Sequence, residues 1–220
     1  MCGRIVITSD AEALARLFEA APDNDLPDLP NFNICPTDRI PVVTSVDGRR
    51  RLRAMRWGLV PHWAKSETEG PLLINARGET IAEKPAFRDA VRRRRAIVPA
   101  TGFYEWTKDA DGARDPWYVR PADGSVMALA AVWQDWAPPG GEPIATCAVV
   151  TTAAGPDTSA LHPRTPVMLA QADWPLWLGE AGHGAAPLMR AMPEGTLEHW
   201  RVGREVNSNR AAGPGLIDRV

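Results

Sequence analysis

Cysteine is scarce in this chain. The three present, Cys2, Cys35 and Cys147, are far apart, odd in number and without metal-ligand spacing, so neither a disulfide framework nor a zinc site is expected. Long apolar runs are missing as well. None approaches the ~20 residues that a membrane-spanning helix needs, and residues 1–7 lack the basic and apolar regions of a secretion signal. A cytoplasmic, nucleoid-associated location without a membrane partner is the expectation. Phenylalanine and tyrosine are few, four and two, against nine tryptophans. Most of the tryptophans are expected in the core and some as stacking platforms for bases. Repeats and linkers are absent.

What remains is an ordinary globular composition, 45% hydrophobic and 24% charged over 220 residues, enough for one well-buried core. A single domain over residues 1–220 follows. The formal net charge of −2 hides a local asymmetry, because Arg49, Arg50, Arg51, Arg53 and Arg56 lie close together and Arg92 to Arg95 are consecutive. Such clusters are either phosphate-binding surfaces or solvated faces.

The first residues, Met1-Cys2-Gly3-Arg4, carry the most chemistry. Cysteine is small enough for an aminopeptidase to remove Met1, which would leave Cys2 with two nucleophiles: a thiol of pKa ~8.5 and an α-amine of ~7.7–8.0. Such a 1,2-aminothiol condenses with an aldehyde to a Schiff base, and the thiol then closes a five-membered thiazolidine ring. That second attack is intramolecular and gains a high effective concentration. The bland alternative is a small hydrophobe opening a buried strand.

Periodicity predicts a strand over 3–7, then a helix capped by Asp10 and running to about residue 20, with Leu14, Leu17 and Phe18 on one face. Residues 22–39 read as irregular, and 41–46 and 50–57 as a hairpin about Asp47-Gly48. A short helix is expected over 86–93. Strands follow over 95–99, 102–106, 117–120, 126–134 and 144–152, the last two at the sheet's centre, then a helix near 173–178 and a strand near 197–202. Glu105, flanked by aromatic and aliphatic residues, is a candidate buried carboxylate with a raised pKa. His162, fixed by Pro163, has the most constrained setting of the four histidines, with His62 second.

Several blocks occur in order: Met1-Cys2-Gly3-Arg4, Asn33-x-x-Pro36-Thr37, Arg56 to Pro61, Ile74-Asn75-Ala76-Arg77-x-Glu79-Thr80, Gly102-Phe103-Tyr104-Glu105-Trp106 and His162-x-Arg164-x-Pro166-Val167. In these the chain resembles the SRAP family, named for SOS-response-associated peptidase, with motif blocks over 2–178 and a C-terminal elaboration over 179–220. The resemblance implies an α+β fold on a curved, mainly antiparallel, barrel-like sheet with short peripheral helices. It also implies covalent capture of the ring-opened aldehyde of an abasic site in single-stranded DNA, by a monomer that uses no cofactor and no metal.

Carried over by motif, Cys2 is the nucleophile, Asn75 a hydrogen-bonding positioner, and Glu105 and His162 acid/base groups, either of which could open the sugar ring. Arg4, Arg77 and Arg164 are implied on phosphates, Asn33, Pro36 and Trp63 along the groove near the lesion, and Trp106 and Thr151 beside the pocket. Cys35 stands where alanine is usual, and His-Pro-Arg-Thr-Pro where His-Asn-Arg-Met-Pro is usual. Two other functions use the same residues. One is a peptidase with Cys2 as N-terminal nucleophile, His162 as base and Asn75 as oxyanion donor. The other is a reversible single-stranded DNA binder indifferent to Cys2.

Overall fold

The computed structural model describes residues 2–23 and 25–220. In chain order the elements are β1 (Ile5–Ile7), α1 (Ala11–Phe18), β2 (Ala21–Pro22), β3 (Asn31–Ile34), β4 (Arg39–Val46), β5 (Arg49–Trp57), β6 (Asn75–Arg77) and α2 (Arg88–Arg93). There follow β7 (Arg95–Ala100), β8 (Gly102–Lys108), β9 (Arg114–Pro121), β10 (Met127–Trp136), β11 (Ile144–Ala153), β12 (Arg164–Pro166), α3 (Trp174–Leu178) and β13 (Leu197–Arg201).

Two sheets carry the fold. One has the order β13-β9-β8-β1-β3; the other runs β12-β11-β10-β7-β4-β5-β2, with β6 added on β11. A parallel pairing of β11 with β5, Thr146 opposite Arg56 and Cys147 opposite Trp57, curls the second sheet toward itself. Because β4 and β7 share only the pair Val43–Ile97, the result is a partial ring and not a closed barrel. This mostly antiparallel α+β arrangement is the expected one.

Local chemistry explains the elements read correctly. Asp47 and Gly48 have φ of 50° and 72°, the left-handed pair that suits the turn of a two-residue hairpin, and β4 and β5 pair over their whole length. Asp10 caps α1 by accepting from the Ala13 amide at 2.7 Å. The expected apolar stripe is narrower than read, since Leu14 and Phe18 are buried but Leu17 is exposed. The stretch 22–39 is also not wholly irregular. Asn31–Ile34 becomes β3 by pairing with β1, a tertiary partner that outweighs its poor strand composition.

Most tryptophans are structural. Trp57 and Trp177 are fully buried, donating to the carbonyls of Ile74 at 3.0 Å and Ala96 at 2.8 Å, and Trp174 stacks on Phe18 with centroids 4.4 Å apart. Such donors need partners when the ring is buried. A smaller apolar cluster joins Val6, Tyr104, Tyr118, Val202, Val206 and Leu216. It packs the C-terminal tract against the Tyr104 face of β8 and β9, opposite the face that carries Glu105.

The arginine clusters resolve as anchors. Arg50 forms two hydrogen bonds with Glu180, at 2.9 and 2.8 Å. Arg53 meets Asp23 at 3.1 Å and lies over the Trp133 ring, and Arg56 meets Glu67 at 2.9 Å. Arg94 and Arg95 donate to carbonyls of Trp133, Val91, Arg92 and Trp177 around the end of α2. These five guanidinium groups are committed to carboxylates and carbonyls, whereas Arg49, Arg92 and Arg93 stay exposed.

Candidate active site

Cys2 enters β1 with 1% exposure. Its carbonyl accepts from Asn75 Nδ2 at 2.8 Å, across 73 residues of sequence. Asn75 is aimed there because β6 lies parallel to β11, with Asn75 opposite Val149. The other half of its amide, Oδ1, is buried and has no hydrogen-bond partner among the described residues. An unmatched buried acceptor is costly, and here it sits beside the candidate nucleophile. Met1, whose removal the aminothiol chemistry requires, lies outside the described residues.

Glu105 comes from β8, which pairs with β1, and is 3% exposed. Burial holds its carboxyl above the usual carboxylate range, with the charge of His162 among the opposing influences. Burial, reinforced by the Glu105 charge, likewise pushes the Cys2 thiol up. Cys2, Glu105 and His162 therefore form one electrostatic unit. Glu105 raises the proton affinity of the Cys2 thiol, and the charge of His162 lowers that of Glu105.

His162 precedes β12. Its Nδ1 accepts from the Arg164 backbone N–H at 2.9 Å, so the neutral ring carries its proton on Nε2. Arg164 is in turn fixed by Glu79, with hydrogen bonds of 2.7 and 2.8 Å, and by the Thr151 carbonyl at 2.7 Å. Thr151 is fully buried. The residues expected on a phosphate and beside the pocket thus form the support under His162. A phosphate contact by Arg164 would require it to exchange or share Glu79.

The Arg164 hydrogen bonds lower the Glu79 pKa from the ordinary 4.5 to about 2. A depressed carboxylate contributes stability above its unfolded pKa and loses it as pH falls through its folded value. Glu79 is about half exposed, so the contribution is at most about 1 kcal/mol. Glu79→Gln should lower the thermal midpoint slightly at neutral pH, and the difference should shrink between pH 4.5 and about 2. Paired melting curves across that range test it.

Arg4, Trp106 and Asn33 are held by the C-terminal tract. Arg4 Nη1 donates to Asn33 Oδ1 at 2.5 Å and to the Val206 carbonyl at 3.0 Å. Asn33 Nδ2 donates to the carbonyls of Ser208 and Ala211 at 3.1 and 2.6 Å. Trp106 Nε1 donates to Asn207 Oδ1 at 2.6 Å. Asn33, 6% exposed, is therefore an anchor and not groove surface. Cys35 lies against the same tract, its Sγ 3.4 Å from the Asn33 carbonyl and 3.9 Å from that of Asn209.

A cavity of about 310 Å³ opens over these groups, lined by Gly3, Arg4, Glu105, Trp106, Thr107, Lys108, Arg114 and His162. Its charge is dominated by Arg4, Lys108 and Arg114. Arg77, Trp63 and Pro36 are outside that lining; Arg77 and Trp63 are exposed and Pro36 half-buried. His62 contacts the edge of Trp63 with ring centroids 4.8 Å apart and is also outside it. Among the described residues, no group of three or more His, Cys, Asp or Glu is placed to hold a metal ion. No helix is long and apolar enough to cross a membrane.

Both the sequence and the fold that bring Cys2, Asn75, Glu105 and His162 together have counterparts among known proteins. The family model described as SOS response associated peptidase (SRAP) matches residues 1–209. The chain belongs to the SRAP family. It is 32% identical to the Abasic site processing protein YoqW of Bacillus subtilis (strain 168), over 99% of both chains. It is 28% identical to the Abasic site processing protein YedK of Escherichia coli (strain K12), over 100% of both. A crystal structure of a protein from Bacteroides thetaiotaomicron has the same fold, with a TM-score of 0.87 over 100% of both chains at 24% identity.

The SRAP match extends into the tract that holds Arg4 and Trp106. Motif spacing makes 179–220 an elaboration and places no site residue there. Yet β13 is an integral strand on β9, and Val206 and Asn207 position two cavity residues. The available signal is a polar Arg-Glu-Val-Asn-Ser-Asn-Arg run with one apolar residue, Val206. Lys108 and Arg114 are likewise cavity residues that the motifs do not single out.

Proposed function

We infer that this SRAP protein processes abasic sites in DNA by covalent capture through Cys2, in single-stranded DNA, once Met1 is removed. The observation that carries the reading is the convergence of a buried cysteine at the second position, an amide on its carbonyl, and a carboxyl raised by burial that lines a cationic cavity together with a histidine. The names of the relatives support the substrate. A ring-opened abasic sugar supplies an aldehyde, and its flanking phosphates match the cavity's charge.

In the proposed reaction, removal of Met1 turns the Cys2 nitrogen into a primary amine. This adds to the aldehyde carbon, giving a carbinolamine. Loss of water then forms the imine, for which one group must protonate the departing hydroxyl and another must accept a proton from nitrogen. Glu105, whose burial makes it keep its proton to higher pH than an ordinary carboxyl, suits the first task, and His162, which lines the cavity, suits the second. The Cys2 sulfur next attacks the imine carbon, its proton passing to nitrogen. The C–S bond closes the thiazolidine, with one water released overall.

The high thiol pKa is consistent with this order. A thiolate at the outset would leave a buried negative charge beside Glu105, whereas an amine that attacks first creates the cationic imine, which favours thiol ionisation at the moment it is needed. Asn75 would keep the Cys2 backbone oriented through both steps.

The test is denaturing electrophoresis of the protein, with Met1 removal verified by mass spectrometry, on a single-stranded oligonucleotide carrying one abasic site. A shifted band that survives heat and detergent is expected, and Cys2→Ala should abolish it. Absence of the band with wild-type protein defeats the reading and turns attention to peptide substrates.

A further inference from the structure

The hairpin of β8 and β9 carries a feature that its own stability does not explain. Lys108 and Arg114 are directly opposite each other in the register. Like charges directly opposite each other on paired strands are destabilising. The acidic residues nearby do not relieve it. Asp109 and Asp115 are taken by Arg204, at 2.6 and 2.7 Å, and Asp115 also by Arg201 at 3.1 Å. Asp111, at the exposed turn, forms no ion pair among the described residues. Among the described residues, neither Lys108 nor Arg114 has an ion pair.

Both instead line the cavity that Gly3, Glu105 and His162 also line. By the alternation of a strand, Lys108 shares the Trp106 face of β8, and the Arg114 guanidinium carbon lies 4.7 Å from the Trp106 ring centroid. The guanidinium carbon of Arg4 lies 5.6 Å from the same ring. One indole therefore gathers two cations while a third stands across the hairpin. The arginines of the C-terminal tract neutralise the carboxylates that would otherwise pair with them.

We propose that Lys108 and Arg114 form a phosphate subsite that holds the DNA backbone on one side of the captured sugar. This rests on the reading of the cavity as a DNA site and assigns residues to one flank of it. The subsite binds two phosphates or one phosphate bidentately through charge, and Trp106 fixes the Arg114 side chain. Because it touches backbone alone, it is indifferent to base sequence.

The test uses the full chain and a single-stranded oligonucleotide whose abasic position is a tetrahydrofuran, which has no aldehyde and reports binding without capture. Affinity is measured against salt for wild type, for Lys108→Gln with Arg114→Gln, and for the charge-conserving pair Lys108→Arg with Arg114→Lys. The glutamine pair should flatten the log–log salt slope by about 1.4, about 0.7 for each cation removed from the backbone, and weaken binding roughly tenfold at low salt. The charge-conserving pair should keep the wild-type slope. Removing the nucleotides on one side of the lesion should erase the difference, and removing those on the other should not.

Wild-type slope and affinity in the glutamine pair, with an unchanged melting temperature, would overturn the subsite. A difference that survives trimming from both sides would overturn its placement on a flank. Capture of a natural abasic site at limiting oligonucleotide is measured alongside and should fall in the glutamine pair in step with the affinity. If wild type itself captures nothing, the function above fails, and the salt slopes still decide whether Lys108 and Arg114 bind phosphate.

Discussion

Glu105→Gln should slow covalent capture by about a hundredfold or more, the usual scale for loss of a positioned acid or base, without loss of DNA binding. The buried carboxyl touches no phosphate in the proposed reaction, and its replacement leaves the cations of the cavity in place. The pH profile separates a chemical role from a structural one. Burial holds the wild-type carboxyl protonated above the usual carboxylate range, so the wild-type rate should fall as pH rises through that raised value. The variant should lack this limb. Stability should move the opposite way. A carboxyl with a raised folded pKa binds its proton more tightly in the folded state, so stability falls as pH rises from the ordinary 4.5 through the folded value. Glutamine has no such loss, and the variant should melt higher than wild type at neutral pH. A capture rate within threefold of wild type, with the same pH limb, would remove Glu105 from the chemistry.

Gly102→Ala should be the most damaging single methyl in the molecule. A Cβ at Gly102 would lie 2.2 Å from Tyr118 Cε2 and 2.3 Å from its hydroxyl oxygen. The Tyr118 ring has no room to withdraw. It is 2% exposed, packs 5.5 Å from Tyr104 and 5.2 Å from Trp200, and donates to the Thr101 carbonyl at 3.2 Å. Overpacking of this kind costs about 1–3 kcal/mol and sometimes more; the upper end is expected here, which for a chain of this size lowers the melting temperature by roughly 6–12 °C. Since β8 must shift to relieve the clash, Glu105 should move with it and capture should fall even below the melting range. Combining the change with Tyr118→Leu should recover much of the lost stability, because the two substitutions relieve one clash. Strict additivity in that cycle would show that the clash is not the cause.

These two residues mark what sequence could and could not convey. The Gly-Phe-Tyr-Glu-Trp block is visible as a strand with an embedded carboxyl, but the need for glycine arises from Tyr118 on the neighbouring strand. The hairpin of β4 and β5 is legible because its turn chemistry is local, and α1 because Asp10 caps it within four residues. β3 is not, since only its pairing with β1 makes an asparagine-rich stretch into a strand. The arginine runs are visible as charge, whereas their partners Asp23, Glu67 and Glu180 are remote or lie in loops and could not be paired by spacing. The same limit hides Asn207, whose hydrogen bond with Trp106 spans 101 residues. Lys108 and Arg114 are within reach, since they flank the Asp-Ala-Asp-Gly-Ala turn and face each other in any hairpin built there.

The anchoring of Arg4 by Val206, and of Trp106 by Asn207, sets an order of events in the cell. Ribosomes add about 5–20 residues per second, so Cys2 exists for roughly 10–40 s before residues 204–211 are made. During that interval β1 can fold and Met1 can be trimmed, yet Arg4 has no carbonyl to bind and the Trp106 indole no acceptor. The surroundings of Cys2 are thus completed by a segment made much later, since the Arg4–Val206 contact spans 202 positions. Until that segment is made, Arg4 and Trp106 lack the partners that hold them.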